Sequence, residues 1–466
     1  MLDSFQMANQ GAVRKILKGV SISDGYALPL DKQGVHDQRY MLTFNINQGR
    51  FKERNQRYDA LMDAIQPGVR RYNVFWYAIE KSGVAPSDTP ITCPREFILV
   101  PASQAEKAAK GYNRFHCYHY AEIADMASYL ALDASRGIES VATIWGTPTQ
   151  FRDPNCVGFK INGAWTYNSC VPRDDAMRDY ADFVNFLAER WNDDIRGRFK
   201  HFIIWNEVAN ADWFDTSPQY NVTKLPTPAE VNYWIDKYVA MLRVSHDAIQ
   251  RHFKGASPAL MYVSLDRIYK TPGKCPPTGF QHCHIGGRQM LQGIWDRINT
   301  TIDWSVAVHP YGDPNKSDWD QHGMYTFADL HYVIQDQLDN LRKYGVADPT
   351  TAPQAMLAAS EQGWHGEGAL ATGLANNLCV AHRVVTNYTE LIWVTHNDFQ
   401  GVRPNDYPGF VPMEAQLNLT GTPDSVVLNA YKATNRNTWA LDPDNWCCQQ
   451  LKIGCPANTT GGVTQV

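Results

Sequence analysis

Short apolar runs and amphipathic stripes alternate along most of the chain. In 177–191, Met177, Tyr180, Val184, Leu187, Ala188 and Trp191 fall on one stripe of a 3.6-residue period, which predicts a helix. The apolar run Phe202–Trp205 follows after a short turn and predicts a strand. Thr227, Pro228 and Glu230 then make a capping box with proline at the first helical position, so a second helix starts there. It leads to 259–265, an unbroken apolar run of the kind found in strands covered on both faces. Runs at 302–311, 355–364 and 391–399 continue the series, with a helix opened by Thr326 and Asp329 and stopped by Gly345, and another at 369–385. Upstream, runs at 40–46, 69–77 and 139–148 alternate with helices near 56–66 and 119–136.

Eight apolar runs, each followed by a helix, with no shift in composition between them, predict an α/β protein built on a single (β/α)8 TIM barrel. A dinucleotide fold would want G-x-G-x-x-G between an early strand and helix, and none is found. The connection 80–118, the loop between Cys156 and Cys170 and the segment 267–300 are expected as long insertions. The expected division is an N-terminal extension 1–39, a catalytic barrel 40–434 and a disulfide-tied tail 435–466. Residues 13–26 leave open an extra strand or a different first strand.

The 466 residues are 44% hydrophobic and 20% charged, ordinary values for a globular chain. A net charge of -5 without a basic stripe argues against nucleic acid or an anionic membrane as partner. No run approaches eighteen apolar residues, so no spanning helix is expected. Aromatic residues reach 12%, with 14 Trp and 23 Tyr, a surplus that calls for a use beyond core filling.

Ten cysteines bear on compartment. Cys93 and Cys117, Cys156 and Cys170, and Cys275 and Cys283 each bracket a short loop, and Cys447, Cys448 and Cys455 cluster near the C-terminus. Such bracketing suits disulfides in an oxidising compartment. Sequons headed by Asn221, Asn299, Asn315, Asn387, Asn418 and Asn458 agree with a secreted glycoprotein. The opening MLDSFQMANQ has neither the basic start nor the apolar centre of a signal peptide, so either a leader is removed before it or the secretory reading fails. Pairing of Cys379, Cys447 and Cys448 is not readable from spacing.

The chemistry lies where apolar strands end in charge. In HFIIWNEVAN, the run Phe202–Trp205 leads straight into Asn206 and Glu207, and the seventh run ends in Glu361. The carboxyl ends of barrel strands form the catalytic face, so both acids would meet there although 154 residues separate them. Two carboxylates over one cleft are what glycoside hydrolysis needs, one to protonate the leaving oxygen and one to attack or stabilise the anomeric carbon.

IIWNEVAN resembles the strand-four signature of clan A glycoside hydrolases, and AASEQGW resembles their strand-seven signature. AVHPYG and LIWVTHND look like the clan's strands six and eight, and VRRYNVFW is similar to its strand two. The likeness spans roughly 40–400, and order and spacing carry it more than any one motif. It implies retention, with Glu207 as acid/base and Glu361 as nucleophile. It further implies that Asn206 bonds the sugar 2-hydroxyl, that Tyr311 and Arg71 keep Glu361 ionised, and that His309 lies nearby. Trp393, with Trp145 and Trp364, would offer flat faces to pyranose rings.

Competing readings accompany these. Either glutamate is also suited to cap the next helix, and Glu367 stands in reserve as nucleophile. His309 is as well suited to a structural role, Tyr311 to a buried donor, and Trp205 to the core beneath the mouth. Arg70 adjoins Arg71, and alternation sends only one of them inward. Around Cys283, His282 and His284 lack the paired spacing of a zinc site, and neither metal nor other cofactor is expected. A barrel lyase, a metal-dependent hydrolase and a silent glycan-binding protein are the alternative classes. Long loops and abundant aromatics suit a cleft that cuts a β-glucan or β-mannan internally, most simply as a monomer. Linkage, endo or exo action, and the family within the clan stay open.

Overall fold

The computed structural model describes residues 33–37, 69–361, 391–398 and 448, except 162–163, 168, 194–196, 222–223, 254–258, 268–282, 311–324 and 327–328. For 33–37, 159–161, 164–166, 193, 197 and 391–398 it describes the backbone alone.

Its frame is a parallel sheet of eight strands: β1 Gln33–Asp37, β2 Val69–Phe75, β3 Glu139–Trp145, β4 Gly197–Ile204, β5 Leu260–Leu265, β6 Ser305–Val308, β7 Leu357–Ala359 and β8 Leu391–Asp398. Each pairs in parallel with the next. β8 pairs in parallel with β1. Helices alternate with the strands: α1 Tyr120–Ser135, α2 Met177–Arg190, α3 Pro228–His252, α4 Gly287–Ile298 and α5 Leu330–Lys343 fill the connections from β2 to β7. The helices expected near 56–66 and 369–385 lie outside the described residues, as does everything after Asp398 except Cys448.

Local signals placed most of these elements. The capping box at α3 is complete, with the Thr227 side chain and the Glu230 carboxylate each accepting from the other's backbone N–H. Ahead of α5 the Asp329 carboxylate accepts from the Thr326 amide and hydroxyl. Gly345 closes that helix with φ +79°, a left-handed position that glycine adopts without strain.

Two corrections follow. The apolar run 40–46 lies outside the described residues, and the strand that pairs with β2 and β8 is 33–37, which falls within the segment read as an N-terminal extension. Its sequence, QGVHD, has one strongly apolar residue, and apolar patterning does not register it. Segment 267–300, read as insertion, contains α4. Its stripe of Met290, Leu291, Ile294, Trp295 and Ile298 is buried, but Gly287 and Gly293 lower the helical propensity enough to mask it. Packing explains both glycines. A Cβ at Gly287 would lie 2.0 Å from the Arg267 carbonyl oxygen, and one at Gly293 would lie 2.5 Å from Ile235.

The insertion 80–118 contains an antiparallel pair, Phe97–Val100 with His116–His119, and a short helix Gln104–Lys110. Cys93–Cys117 staples it, and Cys156–Cys170 staples the loop after β3. Cys283 and Cys448 are also disulfide-bonded.

Alternation along the strands sorts the core into two sets. Outward residues such as Tyr72, Val74 and Ile144 pack with the helices. Val69, Val141, Ile203, Leu260, Tyr262, Ala307, Met356 and Ala358, drawn from or beside β2 to β7, touch one another in a separate cluster. The same alternation settles which arginine faces inward. Arg71 shares its side with Val69, while Arg70 turns out to pair with Asp133 of α1 at 2.7 Å.

Candidate active site

The polar site stands one layer above that apolar cluster. Moving two residues along each strand keeps the side chain on the same face. Val69 thus leads to Arg71, Val141 to Thr143, Tyr262 to Ser264, Ala307 to His309 and Ala358 to Ser360, all buried. These positions converge at the carboxyl end of the sheet, where Glu207 follows β4 and Glu361 follows β7.

Arg71 organises the floor. Its guanidinium is fully buried and pairs with Glu361 Oε1. The same group donates to the Ser360 carbonyl at 3.3 Å, to Asn206 Oδ1 at 3.0 Å and to Thr143 Oγ1 at 2.6 Å. A planar fork with this many fixed acceptors has one orientation, so Glu361 and Asn206 are held in register.

Glu207 is held differently. Its Oε1 lies 2.8 Å from His309 Nδ1, and its Oε2 accepts from the Asn210 amide at 3.4 Å. Its backbone N–H donates to Ser264 Oγ at 3.3 Å, and Ser264 Oγ also meets His309 Nε2 at 3.1 Å. Burial and the neighbouring Glu361 charge push the Glu207 carboxyl up to about 8. Burial pushes His309 down to about 4, so its ring is neutral near neutrality. His309 Nδ1 also lies 3.6 Å from Glu361 Oε2.

The three side chains are close: a donor atom from each of Glu207, His309 and Glu361 lies within 4.8 Å of the other two. Such a set has the spacing to close on a cation, but the Arg71 guanidinium already supplies the positive charge at Glu361, a poor setting for a second one. The backbone at the acid is unusual as well. Trp205 and Glu207 have φ of +66° and +43°, left-handed values that cost side-chain-bearing residues energy and that collect at functional sites.

The other expected positions divide. Trp145 is 4% exposed, donates to Asn73 Oδ1 at 3.1 Å and packs edge-on with Phe75 and Trp213. Such burial leaves it little face for a sugar. Trp205 is buried, as expected of core beneath the mouth, and its indole donates to the Trp213 carbonyl at 2.5 Å. Tyr311, Trp364 and Glu367 lie outside the described residues, and so does the Trp393 side chain, although the Trp393 backbone pairs with Ala358.

Thr143, Asn210, Ser264, Asp266 and Arg267 belong to this cluster and were not singled out from sequence. Asp266 carried the same signal as Glu207, a carboxylate closing an apolar run, in LMYVSLD. Thr143 and Ser264 needed strand register to be found.

The chain belongs to a family of unknown function, DUF5722, whose model matches residues 110–384. No curated relative matches at a significant level. Among solved structures, a family 39 glycoside hydrolase from Bacteroides cellulosilyticus is 12% identical, with 88% of this chain and 65% of that one covered and a TM-score of 0.47. The chain thus spans just under two thirds of that protein. A GH5-4 broad specificity endoglucanase from Clostridium acetobutylicum is 12% identical over 86% of this chain and 96% of that one, with a TM-score of 0.41. A hyperthermophilic β-glucosidase from Pyrococcus furiosus is 10% identical over 86% and 87%, with a TM-score of 0.45. Likenesses at this level say nothing about this chain's chemistry, which rests on its own residues.

Proposed function

We propose that this chain is a retaining glycoside hydrolase of a single (β/α)8 barrel that cleaves β-linked polysaccharide by double displacement. The observation that carries the reading is the unequal state of two neighbouring carboxyls. Glu207 is pushed up to about 8 by burial and by Glu361, so it holds a proton at neutral pH. Glu361 is ion-paired with Arg71. An acid that keeps its proton beside a carboxylate paired with an arginine is suited to the two roles of glycoside hydrolysis.

In the first step Glu207 gives its proton to the leaving oxygen while a Glu361 carboxylate oxygen attacks the anomeric carbon. In the second, Glu207, now ionised, takes a proton from water, and the new hydroxide oxygen displaces Glu361 from the sugar. Direct attack needs carboxyls about 5–5.5 Å apart, whereas inversion needs about 6.5–9.5 Å. An approach of Glu207 and Glu361 oxygens within 4.8 Å favours the first. Asn206, anchored by Arg71, is proposed to bond the sugar 2-hydroxyl. His309 orients the acid. Tyr311, Trp364 and Trp393 are proposed as further contacts to substrate, and internal cleavage of a β-glucan or β-mannan is the proposed action. The disulfides support an extracellular setting. Among the described residues, no helix is long and apolar enough to cross a membrane.

The test is a screen against defined β-linked oligosaccharides, followed by trapping with a 2-deoxy-2-fluoro glycoside of the best one. A peptide carrying the sugar on Glu361 supports the reading. Label on another residue, or chelator-sensitive release of unsaturated sugars, refutes it.

A further inference from the structure

Beside the two glutamates stands a third buried carboxylate that double displacement does not use. Asp266 follows directly on β5 and is 1% exposed. The Asn210 amide joins it to Glu207: Nδ2 has two hydrogens, and it donates to Glu207 Oε2 at 3.4 Å and to Asp266 Oδ2 at 3.1 Å. Asn210 Oδ1 accepts from the Asp212 N–H at 2.9 Å, which turns the amide so that its NH2 faces both acids. On the other side, the Arg267 guanidinium lies 3.2 Å from Asp266 Oδ2. Asp266 Oδ1 has no hydrogen-bond partner among the described residues, and a half-satisfied buried carboxylate is costly enough to call for a reason.

The charges around Glu207 supply that reason. Arg71 faces it from β2, Asp212 and Asn210 from the turn after β4, Ser264, Asp266 and Arg267 from β5, His309 from β6 and Glu361 from β7. His284, ahead of α4, acts on Asp266. The two cations that pull Glu207 towards ionisation are Arg267 and Arg71. Arg71 is paired with Glu361 and Arg267 with Asp266, so each cation has a carboxylate of its own other than Glu207.

Resting on the hydrolase reading above, we propose that Asp266 is a positioning residue that neutralises Arg267 and, through Asn210, keeps Glu207 aligned and protonated between turnovers. Asp266 is itself pushed up to about 6 by burial and by Glu207, which leaves it ionised at neutral pH where the screening is needed. Removing its charge exposes Glu207 to Arg267 and makes the acid ionise at lower pH. Removing Arg267 does the reverse. A purely structural Asp266 would give lower stability or rate without opposite shifts in the two variants.

The experiment titrates Glu207 directly in the full chain by NMR of carbon-13 carboxyl-labelled glutamate, the resonance being assigned by its loss in E207Q. Wild type is expected to titrate near 8. D266N is expected to move the midpoint down by on the order of one pH unit, and R267Q to move it up. D266E should restore most of the wild-type value. No shift in either variant, or shifts in the same direction, overturns the proposal. If D266N does not fold, R267Q decides alone: an upward shift supports, and a constant or lower midpoint refutes. The alkaline limb of kcat/KM should follow the same order on any turned-over glycan. Opposite NMR shifts in the two variants, with no glycan hydrolysed by the wild type, would refute the hydrolase reading and leave the electrostatic coupling standing.

Discussion

The His309 ring lies 2.8 Å from Glu207 and is sealed from water, a buried base in direct contact with a buried acid. Because burial pushes His309 down to about 4, it stays neutral across the range in which a hydrolase works. The role proposed for it is therefore orientation, without charge at pH 7. H309A is expected to lower kcat by roughly ten- to a hundred-fold, since general acid catalysis contributes about 10²–10⁴ and depends on alignment. Its acid limb of kcat/KM should stay where the wild type has it above pH 5. A wild-type limb above pH 5 that H309A lacks would show that the imidazole titrates during catalysis.

The raised carboxyl of Glu207 fixes the sign of two pH effects. On the proposed mechanism, activity is expected to fall as pH rises through about 8, because the acid loses the proton it must donate. Stability moves in the same direction. The folded chain holds this proton more tightly than an ordinary carboxyl at 4.5, so ionising Glu207 costs stability progressively between those values. E207Q should therefore gain on wild type in urea unfolding as pH is raised from 4.5 to 8. It should lose at least 10²-fold in kcat on unactivated substrates, yet keep much of the first step on aryl glycosides whose leaving group needs no proton.

E361Q is expected to behave otherwise. Glutamine cannot neutralise Arg71, which is fully buried and would be left as an uncompensated charge. A loss of roughly 3–5 kcal/mol is expected from breaking such a pair, alongside loss of turnover on every leaving group. Circular dichroism melts of E207Q and E361Q separate the two cases. Equal melting temperatures would mean that the Arg71 pair does not hold this end of the sheet together.

A second buried cluster, away from the site, couples the insertion after β2 to the frame. His116 Nδ1 lies 2.7 Å from Glu80 Oε1, and its Nε2 lies 3.0 Å from Asp182 Oδ2 in α2. Burial opposes a charge on the ring, but the two carboxylates outweigh it and push His116 up to about 10. A group raised on folding contributes stability that is full below its unfolded value of 6.5 and is lost as pH rises through 10. The stability gap between wild type and H116Q should thus be wide at pH 6 and shrink by pH 10. A gap independent of pH would show that the ring is held neutral.

Much of this frame was written in apolar periodicity. Runs beginning at Val69, Glu139 and Leu260 became parallel strands because each is buried on both faces, the run 391–398 became β8, and Glu207 and Glu361 were found because charge is conspicuous at the end of such a run. The choice between Arg70 and Arg71 was not legible, since it depends on which face of β2 is turned inward. β1 escaped notice because its residues are mostly polar. α4 escaped because close packing demands glycine where helical propensity would not put it. G287A tests that explanation: its Cβ would press on the Arg267 carbonyl, and a loss of roughly 1–3 kcal/mol is expected from the forced shift.

The most direct test of the whole account is the stereochemistry of the first product. Proton NMR during the opening minutes of hydrolysis of a β-linked oligosaccharide reads it before mutarotation blurs the signal. Two carboxyls as close as Glu207 and Glu361 should release the β-anomer first. Initial release of the α-anomer would mean that water enters between them, and would contradict direct attack by Glu361.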